Sequence, residues 1–560
     1  MPEIKMKSSN FILLVIVIAL LILLLSGSLN FLPFGKTSGL NEVLTLITSN
    51  YVEKIEKEKL IRDGISGMMA DLDPYSEYLD KKELEELLET SKGEFQGVGM
   101  EIAIKDGYPI VISPLEGTPA YEAGIKAGDK IVKIDGLSAK GLSGEETQQK
   151  IRGFKGSTVR LVVLREGIED SLEFNIKRGV IEIKSVAFAG ELEDGIGYVR
   201  LTRFSENAPV ELKDALKDLK SQKIKGLILD LRGNPGGLLQ EAVSVSELFL
   251  KKGEPVLEVK GRKDSKKFYS QAEPVLDKTP LIVLVDFGSA SASEIVAGAI
   301  QDYDRGLILG DTTFGKGAVQ TVFELKDNTA LKLTTAKYYI PSGRLIQKER
   351  ESKNNLTEDT MDVGAQSRQG EMPPQVYYTK NGRIVYGGGG IVPDIIIPDP
   401  VFPRLIQQLL QGGYFFDFAV RFASVQQDIS ENFRADERVL KEFKDFLESR
   451  GFEYKTSSES ELEKLEETIE EEEKSTPGAR FSDDTKEILN RLSSLLRKRK
   501  ESEFEKDKEF LKWQIEEAVL TKEFGSSTRY KVWARYQEQI KKAIEILKDE
   551  EKYKSLLSPG

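Results

Sequence analysis

The spacing of apolar residues changes along the chain and indicates several structural regions. Residues Phe11 to Leu25 are uniformly apolar. Continued to Phe34, the stretch reaches the roughly 20 residues that span a bilayer. From Leu40 to Ser91, apolar residues recur at helical spacing, interrupted by a turn sequence at residues 73–76. This region predicts helices that lead into the next domain or form a packing or dimerisation arm.

The middle of the chain changes to strand patterns. Residues 93–180 contain short β-branched runs between glycine turns, with one helix predicted near Gly144 to Arg152. In residues 181–400, the runs at 227–229 and 281–285 are continuously apolar, as in strands buried on both faces. Each run leads through a glycine-containing turn into a helix, so this region predicts a layered α/β core.

After Pro403 the chain is mostly helical and heavily charged, which predicts a helical appendage. The patterns together predict a multi-domain α/β protein with helical N- and C-terminal regions. The predicted domains are an N-terminal cytoplasmic end with an anchor or signal (residues 1–35), a helical region (36–92), a β-rich domain (93–180), an α/β core (181–400) and a charged helical region (401–560).

The N-terminal apolar segment predicts an exported protein. Lys5 and Lys7 precede it, so the positive-inside rule keeps this end cytoplasmic. Ser26 to Ser28 could also form a signal-peptide cleavage site, but the long apolar run favours an uncleaved anchor. We therefore expect a single-pass protein of the inner membrane, with the body of the chain on the periplasmic or extracytoplasmic side.

Composition then limits the chemistry. The 560 residues include no histidine and no cysteine, which excludes Ser-His-Asp triads, Cys-His pairs, and imidazole or thiolate metal sites. The formal net charge of −12 argues against a nucleic-acid partner. We expect no metal and no cofactor. If the chain performs nucleophilic catalysis, its base must be a lysine or a carboxylate.

Three turns offer such chemistry. Ser291 follows a buried strand and precedes a helix, where helix N–H groups can stabilise an oxyanion. Lys316 lies between Gly315 and Gly317, and a lysine acts as a base only when neutral. Gly236 and Gly237 follow another strand and can bring a backbone N–H to the same sheet edge. Taken singly, each could be an ordinary turn or a surface loop.

In combination these segments resemble the carboxyl-terminal processing, or tail-specific, serine proteases. The motifs are Asp230-Leu-Arg-Gly-Asn-Pro-Gly-Gly237, Gly288-Ser-Ala-Ser-Ala-Ser-Glu-Ile295, Gly310-Asp-Thr-Thr-Phe-Gly-Lys-Gly-Ala-Val-Gln320, Tyr339-Ile-Pro-Ser-Gly-Arg-Leu-Ile-Gln347 and Gly390-Ile-Val-Pro-Asp394. The resemblance covers residues 40–400 and implies a ClpP/crotonase-like α/β protease core.

The resemblance also implies roles for individual residues. Ser291 would be the nucleophile, Lys316 the base and Gln320 the residue that orients the lysine. The N–H groups of Ala292 and of Gly237 or Gly236 would form the oxyanion hole. Ser289 and Ser293 are the rival nucleophiles, and only the resemblance chooses Ser291 between them.

Residues 93–180 resemble the PDZ domain of the same family. Gln96, Gly97, Val98, Gly99 and Met100 correspond to its carboxylate-binding loop, which would bind a peptide terminus. Arg152 is the candidate for an arginine that couples peptide binding to activity in some relatives.

The predicted function is a serine endopeptidase that cleaves exported or unfolded polypeptides recognised at their C-terminal tails. A homo-oligomer or an adaptor protein is a further expected partner. The alternatives are a membrane-tethered, non-catalytic PDZ scaffold and an acyl hydrolase on a related scaffold.

Overall fold

The computed structural model describes residues 38–348, 375–426, 428–475 and 482–559. These residues form two compact units. The first comprises residues 38–80 and 322–333, and the second comprises the other described residues.

The first unit contains the predicted N-terminal helices. Helices α1 (Ser38–Asn50) and α2 (Lys57–Ala70) are followed by strand β1 (Glu77–Leu79). This strand pairs antiparallel with residues 330–332. The apolar side chains of α1 and α2 are largely exposed, including Leu46, which is 55% exposed. The predicted helical N-terminal region is confirmed.

The N-terminal end with its predicted membrane anchor, at residues 1–35, lies outside the described residues. In the described part of the chain, no helix is long and apolar enough to cross a bilayer. The longest helices of the C-terminal region, Ser457–Ser475 and Asp483–Glu501, carry charges along their whole length. The absence of such a helix among the described residues contradicts the predicted single-pass membrane localisation, which is not carried further.

A small β domain begins the second unit. Helix α3 (Lys81–Lys92) leads into β2 (Glu94–Gly97), which pairs antiparallel with β9 (Gly179–Glu182). Between them in the chain lie the strands β3 (Met100–Lys105), β4 (Tyr108–Pro114), β5 (Lys130–Ile134), β6 (Leu137–Ser138), β7 (Thr158–Leu164) and β8 (Leu172–Lys177). The helices of this domain are α4 (Pro119–Glu122) and α5 (Gly144–Ile151). The main path of their sheet runs β3-β4-β5-β7-β8. The strands predicted in this region are present.

The central sheet has the strand order β10-β11-β12-β15-β16-β21. Its strands are β10 (Val186–Glu191), β11 (Ile196–Leu201), β12 (Gly226–Asp230), β15 (Leu281–Val285), β16 (Leu307–Gly310) and β21 (Ile395–Ile396). The intervening helices are α6 (Ala208–Ser221), α7 (Leu239–Glu247) and α8 (Ala292–Asp302). Strand β10 is antiparallel to β11, whereas β11, β12, β15, β16 and β21 are parallel to one another.

Both faces of this sheet are buried, which explains its continuously apolar strands. Leu227 and Leu229 belong to the core formed with α6, α7 and α8. Ile228, between them, points to a second core formed with the C-terminal helices. Strand β15 alternates in the same way, with Val283 on the first face and Ile282 on the second.

Further strands belong to two other sheets. They are β13 (Pro255–Gly261), β14 (Ser265–Tyr269), β17 (Ala318–Glu324), β18 (Ala330–Tyr339), β19 (Val376–Tyr378) and β20 (Ile384–Tyr386). Strand β13 pairs antiparallel with β14 and with residues 336–339 of β18.

The C-terminal region is helical, as predicted. Its helices are α9 (Arg404–Gln411), α10 (Tyr414–Val425), α11 (Glu437–Ser449), α12 (Ser457–Ser475), α13 (Asp483–Glu501), α14 (Glu503–Lys506), α15 (Lys508–Phe524), α16 (Arg529–Tyr536), α17 (Glu538–Lys548) and α18 (Glu550–Leu556). Ile540, Ile544 and Leu547 of α17 pack on the central sheet. This part of the region is therefore a layer of the α/β core rather than an appendage.

The C-terminal helices also contact the small β domain. Lys105, at the end of β3, forms an ion pair with Asp417 of α10. A Cβ atom on Gly128 would lie 2.7 Å from Val420 Cγ1, so only glycine allows this close approach. The small β domain is thus attached at the β2–β9 pair and at α10.

Candidate active site

Three loops meet at the carboxyl edge of the central sheet. The glycine loop (residues 231–237) follows β12, the serine loop (residues 286–291) follows β15, and the lysine loop (residues 311–317) follows β16. These strands are parallel neighbours. Their carboxyl ends therefore lie side by side, where α/β sheets place their sites.

Ser291 has an unusual backbone conformation. Its φ is 53° and its ψ is −110°, and positive φ is rare for residues other than glycine. The Ser291 side chain is half-buried, whereas Ser289 and Ser293 are fully buried. Ser289 Oγ donates to the carbonyl oxygen of Leu231, and Ser293 Oγ donates to that of Asn234, both at 2.9 Å. These two hydroxyls hold the serine loop on the glycine loop.

The glycine loop lies directly against Ser291. A Cβ atom on Gly236 would lie 2.9 Å from Ser291 Cβ and 2.7 Å from the carbonyl oxygen of Ala290, so no larger residue fits. A backbone hydrogen bond also joins the glycine loop to the serine loop, because the Asn234 carbonyl oxygen accepts the Ala290 N–H at 3.0 Å. The loop is therefore held at the position next to the candidate nucleophile.

The two glycines differ in how their N–H groups are used. The Gly236 N–H donates to Asn234 Oδ1 at 2.9 Å, and Gly236 is buried. Gly237 is exposed, and Phe204 bridges to it through the Gly236 carbonyl and the Leu238 N–H. Among the hydrogen bonds of the described residues, none uses the Gly237 N–H.

Glu294 connects the serine loop to the lysine loop. This residue, in the first turn of α8, is fully buried. Its Oε2 accepts the N–H groups of Ser291 at 2.8 Å and Lys316 at 2.9 Å. Its Oε1 accepts the Thr313 hydroxyl at 2.6 Å and the Gly315 N–H at 2.8 Å. One carboxyl group therefore brings together two residues that are 25 positions apart.

Burial raises the pKa of Glu294 to about 7, although the hydrogen bonds from Thr313, Lys316, Gly315 and Ser291 act in the opposite direction. The sequence had suggested only that Glu294 suits the positive end of a helix dipole. Its reach to a loop more than 20 residues away has no signal in the local sequence.

Tyr338 joins the same two loops from β18. Its hydroxyl donates to the carbonyl oxygen of Lys316 at 2.6 Å and lies 3.1 Å from that of Ser291. The Lys316 side chain is half-buried. Gln320 is also half-buried, and its Nε2 donates to Thr334 Oγ1 at 3.2 Å. Tyr338 was not identified from the sequence.

A buried charge network supports the glycine loop. Asp230, at the end of β12, accepts hydrogen bonds from Arg200, Arg232 and the Tyr198 hydroxyl. Burial would raise the pKa of Asp230, but the two guanidinium charges and these hydrogen bonds outweigh it and hold the pKa well below its usual range. Asp230 is therefore a charged anchor for the loop that follows it.

The candidate peptide groove lies between β3 and α5. A cavity of about 340 Å³ is lined by Phe95, Gly97, Val98, Gly99, Met100, Ile102, Gly144, Gln148, Ile151 and Arg152. The predicted loop residues from Gly97 to Met100 are in this lining. Gln96 is not, and its side-chain oxygen accepts the Lys155 N–H at 2.8 Å. Arg152 lies at the groove, where its Nη1 donates to Glu89 Oε2 at 2.6 Å.

Among residues 38–348, 375–426, 428–475 and 482–559, no group of carboxylates is arranged as metal ligands.

Sequence comparisons match several parts of the chain to family models. Peptidase family S41 matches residues 195–360, and a PDZ domain matches residues 110–165. The C-terminal helical domain of a probable PDZ-protease matches residues 405–547. The N-terminal domain of the activating protease CtpB matches residues 33–83.

Individual relatives are similar over more than half of the chain. A carboxy-terminal-processing protease of Bartonella bacilliformis is 43% identical over 312 residues, which cover 55% of this chain and 71% of the relative. The carboxy-terminal processing protease CtpA of Bacillus subtilis is 39% identical over 316 residues, covering 56% and 67%. A photosystem II D1 C-terminal processing protease structure is 30% identical, covering 63% and 85%, with a TM-score of 0.34.

An α/β core with a PDZ domain and the S41 sequence define a serine-type peptidase. The match to the Bartonella protease, at 43% identity over 71% of that protein, identifies the family more narrowly. The chain belongs to the carboxy-terminal-processing proteases of peptidase family S41. The resemblance inferred from the sequence motifs is confirmed.

Proposed function

We propose that this peptidase uses a Ser-Lys dyad. Ser291 attacks the peptide carbonyl while Lys316, in its neutral form, accepts the hydroxyl proton and later protonates the leaving amine. The resulting acyl-enzyme is hydrolysed by water. Gln320 orients Lys316 through its side-chain oxygen, since its Nε2 donates to Thr334.

The observation that carries this proposal is the shared carboxyl group of Glu294. It hydrogen-bonds to the backbone of both Ser291 and Lys316, so the nucleophile and the base are held on one framework. The positive φ of Ser291 and its partial exposure further support it as the nucleophile. The structural hydrogen bonds of Ser289 and Ser293 argue against those rivals.

The oxyanion hole is proposed to use the N–H groups of Ala292 and Gly237. Ala292 is the first residue of α8, where helix N–H groups lack intrahelical acceptors. Gly237 is preferred to Gly236, because the Gly236 N–H already donates to Asn234. Two such donors stabilise the oxyanion that develops during acylation.

The proposed substrates are unfolded or extended polypeptides with a free C-terminal carboxylate. The tail would add as a strand beside β3 and place an apolar side chain against Val98, Ile102 and Ile151. The expectation of exported substrates rests on the N-terminal apolar segment, read as an anchor or a signal peptide, and stays a prediction.

Ile102→Glu is expected to raise KM for tailed substrates roughly tenfold or more, because it places a charge in an apolar cavity. The kcat for a short peptide without a tail should stay unchanged. Cleavage of a denatured polypeptide, with its C-terminus free or amidated, measures the KM, and cleavage of the short peptide measures the kcat. Ile104→Glu is the matched control, since Ile104 lies on the same strand outside the cavity lining. Equal cleavage of the free and amidated substrates would contradict recognition of the tail.

Arg152 is proposed to couple the groove to the active site. It pairs with Glu89 on α3, and the carbonyl oxygen of Ser91, near the end of the same helix, accepts the Glu206 N–H at 3.0 Å. Two residues before Glu206, Phe204 pairs with the glycine loop. A tail carboxylate that attracts Arg152 would therefore release Glu89 from its ion pair with Arg152. Glu89 lies on the helix that is hydrogen-bonded, through Ser91, to the segment next to the glycine loop.

Glu89→Gln is expected to lower the Kd for a tail peptide with a free carboxylate a few-fold, because it leaves the Arg152 charge available to the carboxylate. For an amidated tail peptide the Kd should not change. Fluorescence anisotropy of a labelled tail peptide, free or amidated, measures the difference. Equal tightening for both peptides would show that Arg152 does not recognise the terminal charge.

A homo-oligomer or an adaptor stays a prediction, supported by the exposed apolar side chains of α1 and α2. No comparison favours the non-catalytic scaffold, which would show no cleavage that depends on Ser291. The acyl hydrolase alternative predicts ester turnover that is unaffected by substitutions in the groove.

A further inference from the structure

Gln539, on the first turn of α17, links the C-terminal helices to the active-site edge of the central sheet. The residue is 2% exposed. Its Oε1 accepts a hydrogen bond from Arg232 Nη1. Its Nε2 donates to the carbonyl oxygen of Ile397 at 2.7 Å and to Asp399 Oδ1 at 3.0 Å. The orientation of the amide is therefore set by three different partners.

Arg232 is the residue that Gln539 holds. It is 6% exposed, and its Nε and Nη2 atoms donate to Asp230. The ring of Trp533, on α16, lies 5.8 Å from the Arg232 guanidinium carbon. The guanidinium is thus fixed by strand β12 on one side and by the C-terminal helices on the other.

The backbone after Arg232 contacts the serine loop at successive residues. The Gly233 N–H donates to Asp286 Oδ1 at 2.7 Å. The Asn234 carbonyl accepts the Ala290 N–H, and Gly236 lies against Ser291. A shift of Arg232 would therefore move the glycine loop relative to the nucleophile.

We propose that Gln539 is a positioning residue for catalysis. It fixes the Arg232 guanidinium, and through it the distance between the Gly237 N–H and the carbonyl that Ser291 attacks. This inference rests on the proposed roles of Ser291 and Gly237. It makes the C-terminal helical region part of the catalytic framework, because that region supplies Gln539 and Trp533.

The test compares Gln539→Met with Gln537→Met in the full chain. Methionine keeps the length of the side chain and removes its hydrogen bonds. Gln537 lies two residues earlier, and its Oε1 has no hydrogen-bond partner among the described residues. With a short peptide that does not need the groove, Gln539→Met should lower kcat roughly tenfold and leave KM unchanged, since small misplacements reduce rates strongly. Gln537→Met should retain wild-type kcat and KM.

A double-mutant cycle separates positioning from general destabilisation. In an Arg232→Met background no side-chain donor at position 232 remains for Gln539 Oε1, so Gln539→Met should cause no further loss of kcat. Additive losses, or a kcat of Gln539→Met equal to that of Gln537→Met, would overturn the proposal. Ser291→Ala is assayed in parallel. Activity that survives Ser291→Ala refutes the proposed dyad, whereas failure of the cycle alone refutes only the role of Gln539.

Discussion

Ser291→Ala is expected to reduce peptide cleavage by at least roughly 10³-fold while the protein stays folded, because the variant lacks the attacking hydroxyl. A serine-directed covalent probe should label wild type on Ser291, and peptide mass spectrometry locates the adduct. Ser289→Ala and Ser293→Ala remove buried hydrogen bonds to the glycine loop. These two variants should lose roughly 1 kcal/mol of stability each and still be labelled on Ser291.

Lys316→Arg completes this experiment. Its guanidinium stays protonated and cannot accept the Ser291 proton, so cleavage and labelling should both fall to the level of Ser291→Ala. Circular dichroism verifies that each variant is folded. Labelling of Ser289 or Ser293 in wild type would show that the wrong hydroxyl has been assigned. Full activity of Lys316→Arg would show that another group is the base.

The fold was predictable where the hydrophobic pattern reports burial directly. Strand β15 is apolar at each position because both of its faces are covered, so its sequence alone predicted a central strand. Strand β14 was not predicted, since its lysines are exposed and leave no periodic pattern. The C-terminal region was predicted to be helical, but its sequence did not predict which surface Ile540, Ile544 and Leu547 contact. Ile228 and Ile282, on that surface, are more than 250 positions away in the chain.

The candidate site divides in the same way. Ser291 and Lys316 are recognisable because their motifs are local and ordered along the chain. The choice between Gly236 and Gly237 depends on a hydrogen bond within the folded loop, which no sequence pattern encodes. Tyr338 and Gln539 contact loops that are distant in the chain, and an isolated tyrosine or glutamine has no sequence signature. Local sequence therefore indicates the candidate reacting groups, whereas the contacts proposed to position them arise only in the folded chain.

Glu294→Gln is expected to lower kcat roughly 10²-fold, because it disturbs the link between the serine and lysine loops. Each oxygen of the Glu294 carboxyl group accepts two hydrogen bonds. A glutamine keeps one acceptor oxygen, so its NH₂ group would face two donors. Glu211→Gln is the matched control. Glu211 also lies in the first turn of a core helix and accepts a backbone N–H, that of Val186 at 2.9 Å.

The same substitution is expected to change the pH dependence of stability. The pKa of Glu294 is raised from 4.5 to about 7 by burial. Between these values the folded protein retains a proton that the unfolded chain has released. The contribution of Glu294 to the free energy of unfolding therefore falls as the pH rises from about 4.5 to 7. Urea unfolding across this range, in a Ser291→Ala background that suppresses self-cleavage, measures the slope. Glu294→Gln should flatten it and Glu211→Gln should not. An unchanged slope in Glu294→Gln would mean that this carboxyl group is already ionised at pH 4.5, and its hydrogen bonds would then stabilise the two loops throughout the range.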